Sequence, residues 1–192
     1  MVPPKTLFFF LAATISLSMT LGNHPVAIAA YLFNFFATMG FAHASESNAS
    51  IGMTYIAAGT MFYGAVLGVM GKAIPLHGLT LHGLCLYTGF EVATSFALSE
   101  KILANMNAGP LAKSLVFPVV STSYEFYHTL TYPYGSYGIG AYTQYGVMAL
   151  MQICSLFGIW TMSFFISWVG GTVARIAILL NESGPILRWN TR

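Results

Sequence analysis

The chain has 192 residues, of which 56% are hydrophobic and only 6% are charged, and its formal net charge is +2. A soluble domain carries roughly 25% charged residues, so this composition is too poor in charge to build a water-facing surface. The net charge is also too small, and the basic residues too scattered, for a nucleic-acid-binding protein. Most of the surface is therefore expected to face lipid, and the length fits a single domain.

Continuous apolar stretches predict the membrane-spanning elements, because a spanning helix needs about 20 mostly apolar residues. In chain order the stretches cover residues 6–21, 25–44, 51–70, 79–98, 111–130 and 147–180. They do not alternate between polar and apolar positions, which favours helices over the strands of a barrel. The predicted fold is all-α: a polytopic membrane bundle of about six transmembrane helices, forming one domain over residues 1–192.

The first stretch has a second interpretation as a secretory signal peptide. Lys5, the apolar core and the run Ala27-Ile28-Ala29, with small residues at alternate positions, are typical of such a leader. Hydrophobicity continues beyond that point through residues 31–36, which favours a helical hairpin that remains part of the protein.

The basic residues predict the orientation. With the N-terminus inside, the inner side holds Lys5, Lys101, Lys113, Arg188 and Arg192, whereas the outer loops hold only Lys72. Cytoplasmic loops of membrane proteins carry an excess of Lys and Arg. Both termini are therefore predicted to be cytoplasmic, and the loop 131–146 to lie on the outer side.

Two acidic residues within the predicted spans, Glu91 and Glu125, are candidates for function. An acid near the bilayer centre costs roughly 2.5 kcal/mol or more, so such residues are rarely retained without a role. Each has a structural alternative, in which a protonated or hydrogen-bonded glutamate ties two helices together. Helical spacing places Ser121, Glu125 and His128 on one face, which should look into the bundle.

The loop after the fifth stretch, residues 131–146, is uncharged and contains five tyrosines and four glycines. Tyrosines alone are typical of an aromatic belt at the membrane interface. Glycines additionally permit tight turns and close backbone approach, so the loop is also compatible with a segment that folds back over a cavity. We expect Glu125 to anchor such a loop through its hydroxyl or backbone N–H groups.

The remaining motifs predict helix packing or argue against metal binding and against known catalytic motifs. Gly64 and Gly68 form a GxxxG pattern, which allows close approach of helices. The histidines show no pair at i, i+4, and Cys85 and Cys154 have no metal-ligand spacing, so no metal is expected. We find no nucleophile elbow, phosphate loop or metalloprotease helix.

The stretch 116–166 resembles the membrane domain of bacterial apolipoprotein N-acyltransferase. The matching elements, in order, are Phe117-Pro118, Tyr124-Glu125-Phe126, Ala141-Tyr142-Thr143-Gln144, the run Leu150-Met151-Gln152-Ile153-Cys154-Ser155, and Gly158-Ile159-Trp160-Thr161-Met162-Ser163-Phe164. Leu86-Tyr87-Thr88-Gly89 is also similar, so that good matching covers about residues 84–166. Glu91 belongs to no motif of that family.

The resemblance implies an acyltransferase setting in a bacterial inner membrane. That family transfers an acyl chain from a phospholipid to the N-terminal cysteine of a lipoprotein, using a Glu-Lys-Cys triad in a nitrilase-like domain that follows a seventh span. The chain given ends at Arg192, before such a span, so no catalytic residue and no cofactor is expected in it. It would be a fragment or one half of a split system that binds lipid and positions the nitrilase-like domain.

By motif position, the counterparts of the family's lipid-entry residues are Glu125, Tyr137, Tyr142 and Gln144. Tyr137 stands where the family often has tryptophan, which weakens a stacking role. The expected partners are phospholipid, a lipoprotein substrate and the nitrilase-like domain. Two other hypotheses remain open: a small transporter in which Glu91 or Glu125 relays protons, and a membrane scaffold for a separate amidase-like subunit.

Overall fold

The computed structural model describes residues 2–21, 26–47, 49–73, 78–136 and 138–182. Within these ranges the chain is helical and contains no strand. The long helices are α1 (Pro4–Thr20), α2 (Ala27–Glu46), α3 (Ile51–Ala73), α4 (Leu79–Asn105) and α5 (Pro110–Thr131); a 3₁₀ turn (Gly140–Gln144) and the short helices α6 (Met148–Met151) and α7 (Cys154–Phe157) then lead to α8 (Ile159–Glu182).

The first five helices follow the apolar stretches closely, but the sixth stretch is divided. Residues 147–180 were expected to form one helix, whereas α8 begins only at Ile159. Gly158, with φ +73°, separates α7 from α8. This left-handed conformation is readily adopted by glycine and cannot continue an α-helix, so the prediction of one uninterrupted helix is wrong.

Three of the helices described are long and apolar enough to cross a membrane: Ala27–Glu46, Ile51–Met70 and Ile159–Asn181. The helix α1 is also apolar but shorter, with 17 residues. Charged and hydroxyl side chains are frequent in α4 and α5, which lowers their hydropathy. The structure thus supports a helical membrane bundle with three helices that meet the criterion for spanning.

Phenylalanine side chains from five helices form the centre of the bundle. Phe62 contacts the rings of Phe10 and Phe33 with centroid separations of 6.3 and 5.4 Å. Phe96 stacks on Phe41 and on Phe117, at 5.8 and 4.6 Å. Lipid is as apolar as these side chains, so dense van der Waals packing, rather than hydrophobic transfer, holds such helices together.

Close helix approach occurs at glycines other than those predicted. A Cβ on Gly89 of α4 would lie 2.6 Å from the backbone nitrogen of Tyr63 in α3, and one on Gly170 of α8 would lie 2.7 Å from Asn34 Cβ in α2. At Gly64 and Gly68 an added Cβ would meet no described atom within 4 Å. The expected packing role of that GxxxG pair is therefore not found in the part of the chain described.

Polar contacts mark the two ends of the bundle. At the end where α5 stops, the Tyr132 hydroxyl donates to Met70 Sδ over 3.3 Å and joins the loop to α3. We call this the loop end. At the opposite end, Arg175 of α8 forms an ion pair with Glu100 of α4.

Candidate functional site

The loop after α5 folds back onto the helix that precedes it. The Gly140 N–H donates a hydrogen bond of 3.2 Å to Glu125 Oε1. A Cβ on Gly140 would lie only 3.3 Å from the same oxygen, so a larger residue would crowd the carboxylate. Gly138, with φ +90°, turns the chain just before this contact. The acid and the backbone of the loop are thus held together.

A second acid lies on the neighbouring helix and pairs with a histidine. Glu91 Oε2 of α4 and His128 Nδ1 of α5 share a hydrogen bond of 2.5 Å. The two side chains retain only 8% and 10% of their exposure, so the pair is sheltered from solvent. The imidazole also stacks on Tyr132, with a centroid separation of 4.2 Å, and this packing fixes the orientation of the ring.

Both acids line one cavity of about 110 Å³. Its roof is the loop backbone at residues 138–140, and its walls come from α1, α2, α4, α5 and α8. The polar side chains that line it are Thr20, Asn34, Thr88, Glu91, Ser95, Ser121, Tyr124, Glu125, His128 and Ser167. Apolar groups such as Phe33 and Phe96 complete the lining. A polar cluster with ionisable groups and mostly apolar walls is typical of a ligand site.

Each acid has one carboxylate oxygen that accepts no hydrogen bond from the residues described. These atoms are Glu91 Oε1 and Glu125 Oε2, and both are buried. The Ser163 hydroxyl approaches the Glu125 carboxylate as a hydrogen-bond donor, but outside the range of a normal hydrogen bond. Buried polar atoms are nearly always hydrogen bonded, so this pair of oxygens is suited to a hydrogen-bond donor from a ligand, or to a proton.

The remaining residues expected at the site lie elsewhere or outside the description. Gln144 is buried but points into the bundle wall, where its Nε2 donates to the Ala27 carbonyl over 2.9 Å. The Tyr142 hydroxyl is 2.8 Å from Ser136 Oγ, and its ring is 45% exposed. Neither side chain lines the cavity. Tyr137 lies outside the described residues.

Sequence analysis missed the pairing of Glu91 with His128. Their positions differ by 37 residues, and no local spacing rule connects them. The sequence offered one signal, which is that His128 lies on the same helical face as Glu125. This indicates that the face is polar, but it does not identify Glu91 as the partner of His128. The positions of Asn34 and Ser167 in the cavity lining were also missed. A small polar residue in a mostly apolar helix carries no local signal that it faces a cavity.

Metal chemistry finds no support in the residues described. They contain no group of three or more His, Cys, Asp or Glu side chains placed to hold an ion. Cys85 is buried and Cys154 is partly buried, and both are free thiols.

Comparison with known proteins gave no relative. No family model, no curated protein and no solved structure matches the chain.

Proposed function

We propose that this chain is a membrane domain similar to that of apolipoprotein N-acyltransferase, and that it binds the polar end of a phospholipid in the cavity under the loop. The observation that carries the proposal is the contact between Glu125 and Gly140. It brings together two of the elements on which the resemblance rests, Tyr124-Glu125-Phe126 and the segment beginning at Ala141. Gly140 directly precedes the second element, so the contact holds the start of that element beside the cavity.

The chemistry of the cavity supports a ligand with a polar head and an apolar body. Glu91, Glu125 and His128 supply ionisable groups, and Phe33 and Phe96 supply apolar surface in the same space. Hydrogen bonds to charged groups contribute about 1.5–3 kcal/mol each. A ligand donor that reaches either free carboxylate oxygen would therefore bind with useful affinity and defined orientation.

The proposed arrangement in the membrane has six spans, formed by α1 to α5 and α8. The loop end faces outward and both termini face the cytoplasm, as the distribution of Lys and Arg predicts. A bacterial inner membrane is the setting that the resemblance implies. Labelling of single cysteines introduced at Val2, Ser136 and Asn181 in sealed vesicles should give inside, outside and inside. Outside labelling at Asn181 would overturn the six-span arrangement.

Lipid binding can be tested by native mass spectrometry of the purified protein titrated with phosphatidylethanolamine, whose ammonium head group can donate hydrogen bonds to carboxylates. We expect the double variant Glu91→Gln/Glu125→Gln to bind lipid about tenfold or more weakly, since each change weakens a charge-assisted hydrogen bond. Glu46→Gln is the matched control, because Glu46 lies at the opposite end of the bundle and is exposed. Equal lipid binding by the double variant and the control would refute the proposed site.

A proton relay is the second candidate, and the pairing of Glu91 with His128, sheltered from solvent, is the observation that favours it. Proton relays in membrane proteins use chains of Asp, Glu and His, and Glu125 lines the same cavity. Proteoliposomes that contain a pH-sensitive dye would detect proton flux. Flux that is abolished by Glu125→Gln would favour this function over lipid binding, whereas an absence of flux in the wild-type protein would reject it.

A further inference from the structure

The segment between the 3₁₀ turn and α8 exposes an unusual amount of apolar surface. Tyr145, Met148, Leu156 and Phe157 are 83%, 72%, 72% and 79% exposed. The segment contains only the two four-residue helices α6 and α7. The segment, residues 145–157, is too short to span a bilayer, because a spanning helix requires about 20 residues.

We propose that this segment, residues 145–157, lies within the lipid bilayer at the loop end, as a non-spanning membrane segment whose partner is the acyl-chain region of phospholipid. The inference concerns a surface outside the cavity and does not depend on the proposed lipid site. Three independent features of the segment carry it: its charge, its backbone hydrogen bonding and its connection to α8.

Absence of charge identifies the kind of partner. Residues 129–174 contain no Asp, Glu, Lys, Arg or His, so the whole region before and after the segment is uncharged. Protein interfaces have a polar rim around their apolar centre, whereas the exposed face here offers as polar groups only the Tyr145 hydroxyl and the side chains of Gln152 and Ser155. An uncharged apolar face complements hydrocarbon better than it complements a protein surface or water.

The backbone of the segment is suited to the same environment. In hydrocarbon every backbone polar group must be satisfied internally, and an irregular segment normally fails this requirement. Here the N–H groups of residues 150–153, 155, 156 and 158 donate to carbonyls three or four residues earlier; examples are Met151 to Val147 at 3.0 Å and Gly158 to Cys154 at 2.8 Å. The turns between α6 and α7 therefore present side chains, rather than unpaired amides, to their surroundings.

The segment is also continuous with a helix that meets the criterion for spanning. Gly158 connects α7 directly to α8, the start of the candidate span Ile159–Asn181. On its inner side, Leu150 and Cys154 pack against a cluster that contains Met162 and Ile166 of α8. This packing holds the segment against the top of a membrane helix, with the opposite face directed away from the protein.

The test measures the environment of labelled side chains in phosphatidylcholine nanodiscs. In a background of Cys85→Ser/Cys154→Ser, a nitroxide is attached at Met148→Cys or Leu156→Cys. Collision with oxygen, which concentrates in lipid, is compared with collision with a water-soluble nickel chelate. Val173→Cys, on the exposed face of α8, is the lipid control, and Asn107→Cys, in the exposed connection between α4 and α5, is the water control.

We expect both segment labels to give an oxygen-to-nickel ratio several-fold above that of Asn107→Cys and close to that of Val173→Cys. A ratio near that of Asn107→Cys would place the segment in water and overturn the proposal. Protection from both reagents would also overturn it, because the face would then be covered by a second copy of the chain. Each labelled variant must elute and melt as the unlabelled background does, which separates these outcomes from misfolding.

Discussion

Replacement of Glu125 by alanine should release the loop from the bundle without unfolding the helices. Glu125 Oε1 is the acceptor of the Gly140 N–H, and this contact holds the roof of the cavity. Leaving a buried donor unpaired costs about 1–3 kcal/mol. That free energy corresponds to about a 5- to 150-fold increase in the population of the opened loop. The α5 helix itself loses no backbone hydrogen bond, so the bundle should keep its melting temperature to within a few degrees.

Chymotrypsin is the suitable probe of this opening. The loop offers several tyrosines to this protease but no lysine or arginine to trypsin. When opening and closing are fast relative to cleavage, the cleavage rate reports the equilibrium population of the open form. The rate of cleavage between residues 132 and 145 should therefore rise for Glu125→Ala in detergent by a factor within that range.

Two further variants separate anchoring from general damage to α5. Glu125→Gln retains a neutral acceptor of the same shape, so its cleavage rate should lie between those of wild type and Glu125→Ala. Ser123→Ala removes an exposed hydroxyl on the same helix, whose only hydrogen-bond partner among the described residues is the Val119 carbonyl. This variant should be cleaved at the same rate as wild type. A loop as resistant in Glu125→Ala as in wild type would refute the anchoring argument.

Three other outcomes are expected from the packing and hydrogen bonds. Gly89→Ala should lower the free energy of unfolding by about 1–3 kcal/mol, because its Cβ would meet the backbone of Tyr63. Gly68→Ala should not lower it, because no described atom lies near its Cβ and alanine is the better helix former by about 0.8–1.0 kcal/mol. Thermal melting in detergent measures both changes, and equal destabilisation would contradict the packing described. A double-mutant cycle of Glu91→Gln and His128→Asn should give a coupling free energy of about 0.5–3 kcal/mol. Additive effects would show that the hydrogen bond between these two side chains does not contribute to stability. Gln144→Ala should free the 3₁₀ turn from α2 and raise chymotrypsin cleavage by about 5- to 150-fold, so an unchanged cleavage rate would show that this contact does not hold the loop.

The cavity, the loop and the apolar segment form one continuous region of the molecule at the loop end. The roof at residues 138–140 leads through the 3₁₀ turn into α6 and α7, and then into α8. If the segment lies in lipid as proposed, the roof of the cavity is adjacent to the bilayer.

The sequence alone determined where the long helices lie and which acid meets the loop. Continuous apolar runs predicted α1 to α5 to within a few residues at most ends, because a helix in lipid must satisfy its own backbone and shows this requirement locally. The placement of Glu125 towards the end of α5, just before a glycine-containing loop, is likewise a local pattern, and the predicted contact between acid and loop lies within 15 residues.

Only the tertiary structure decided the partner of Glu91, the glycines at which helices touch, and the position at which the sixth apolar stretch breaks. The pairing of Glu91 with His128 depends on how α4 and α5 are rotated and shifted against each other. The same rotation places Gly89, rather than Gly64 or Gly68, against a neighbouring backbone. The sequence allows Gly158 either to continue a helix or to end one. In the structure it ends α7, which then packs against α8. Helix rotation is set by side-chain packing summed over long sequence separations, which no single stretch of apolar residues encodes.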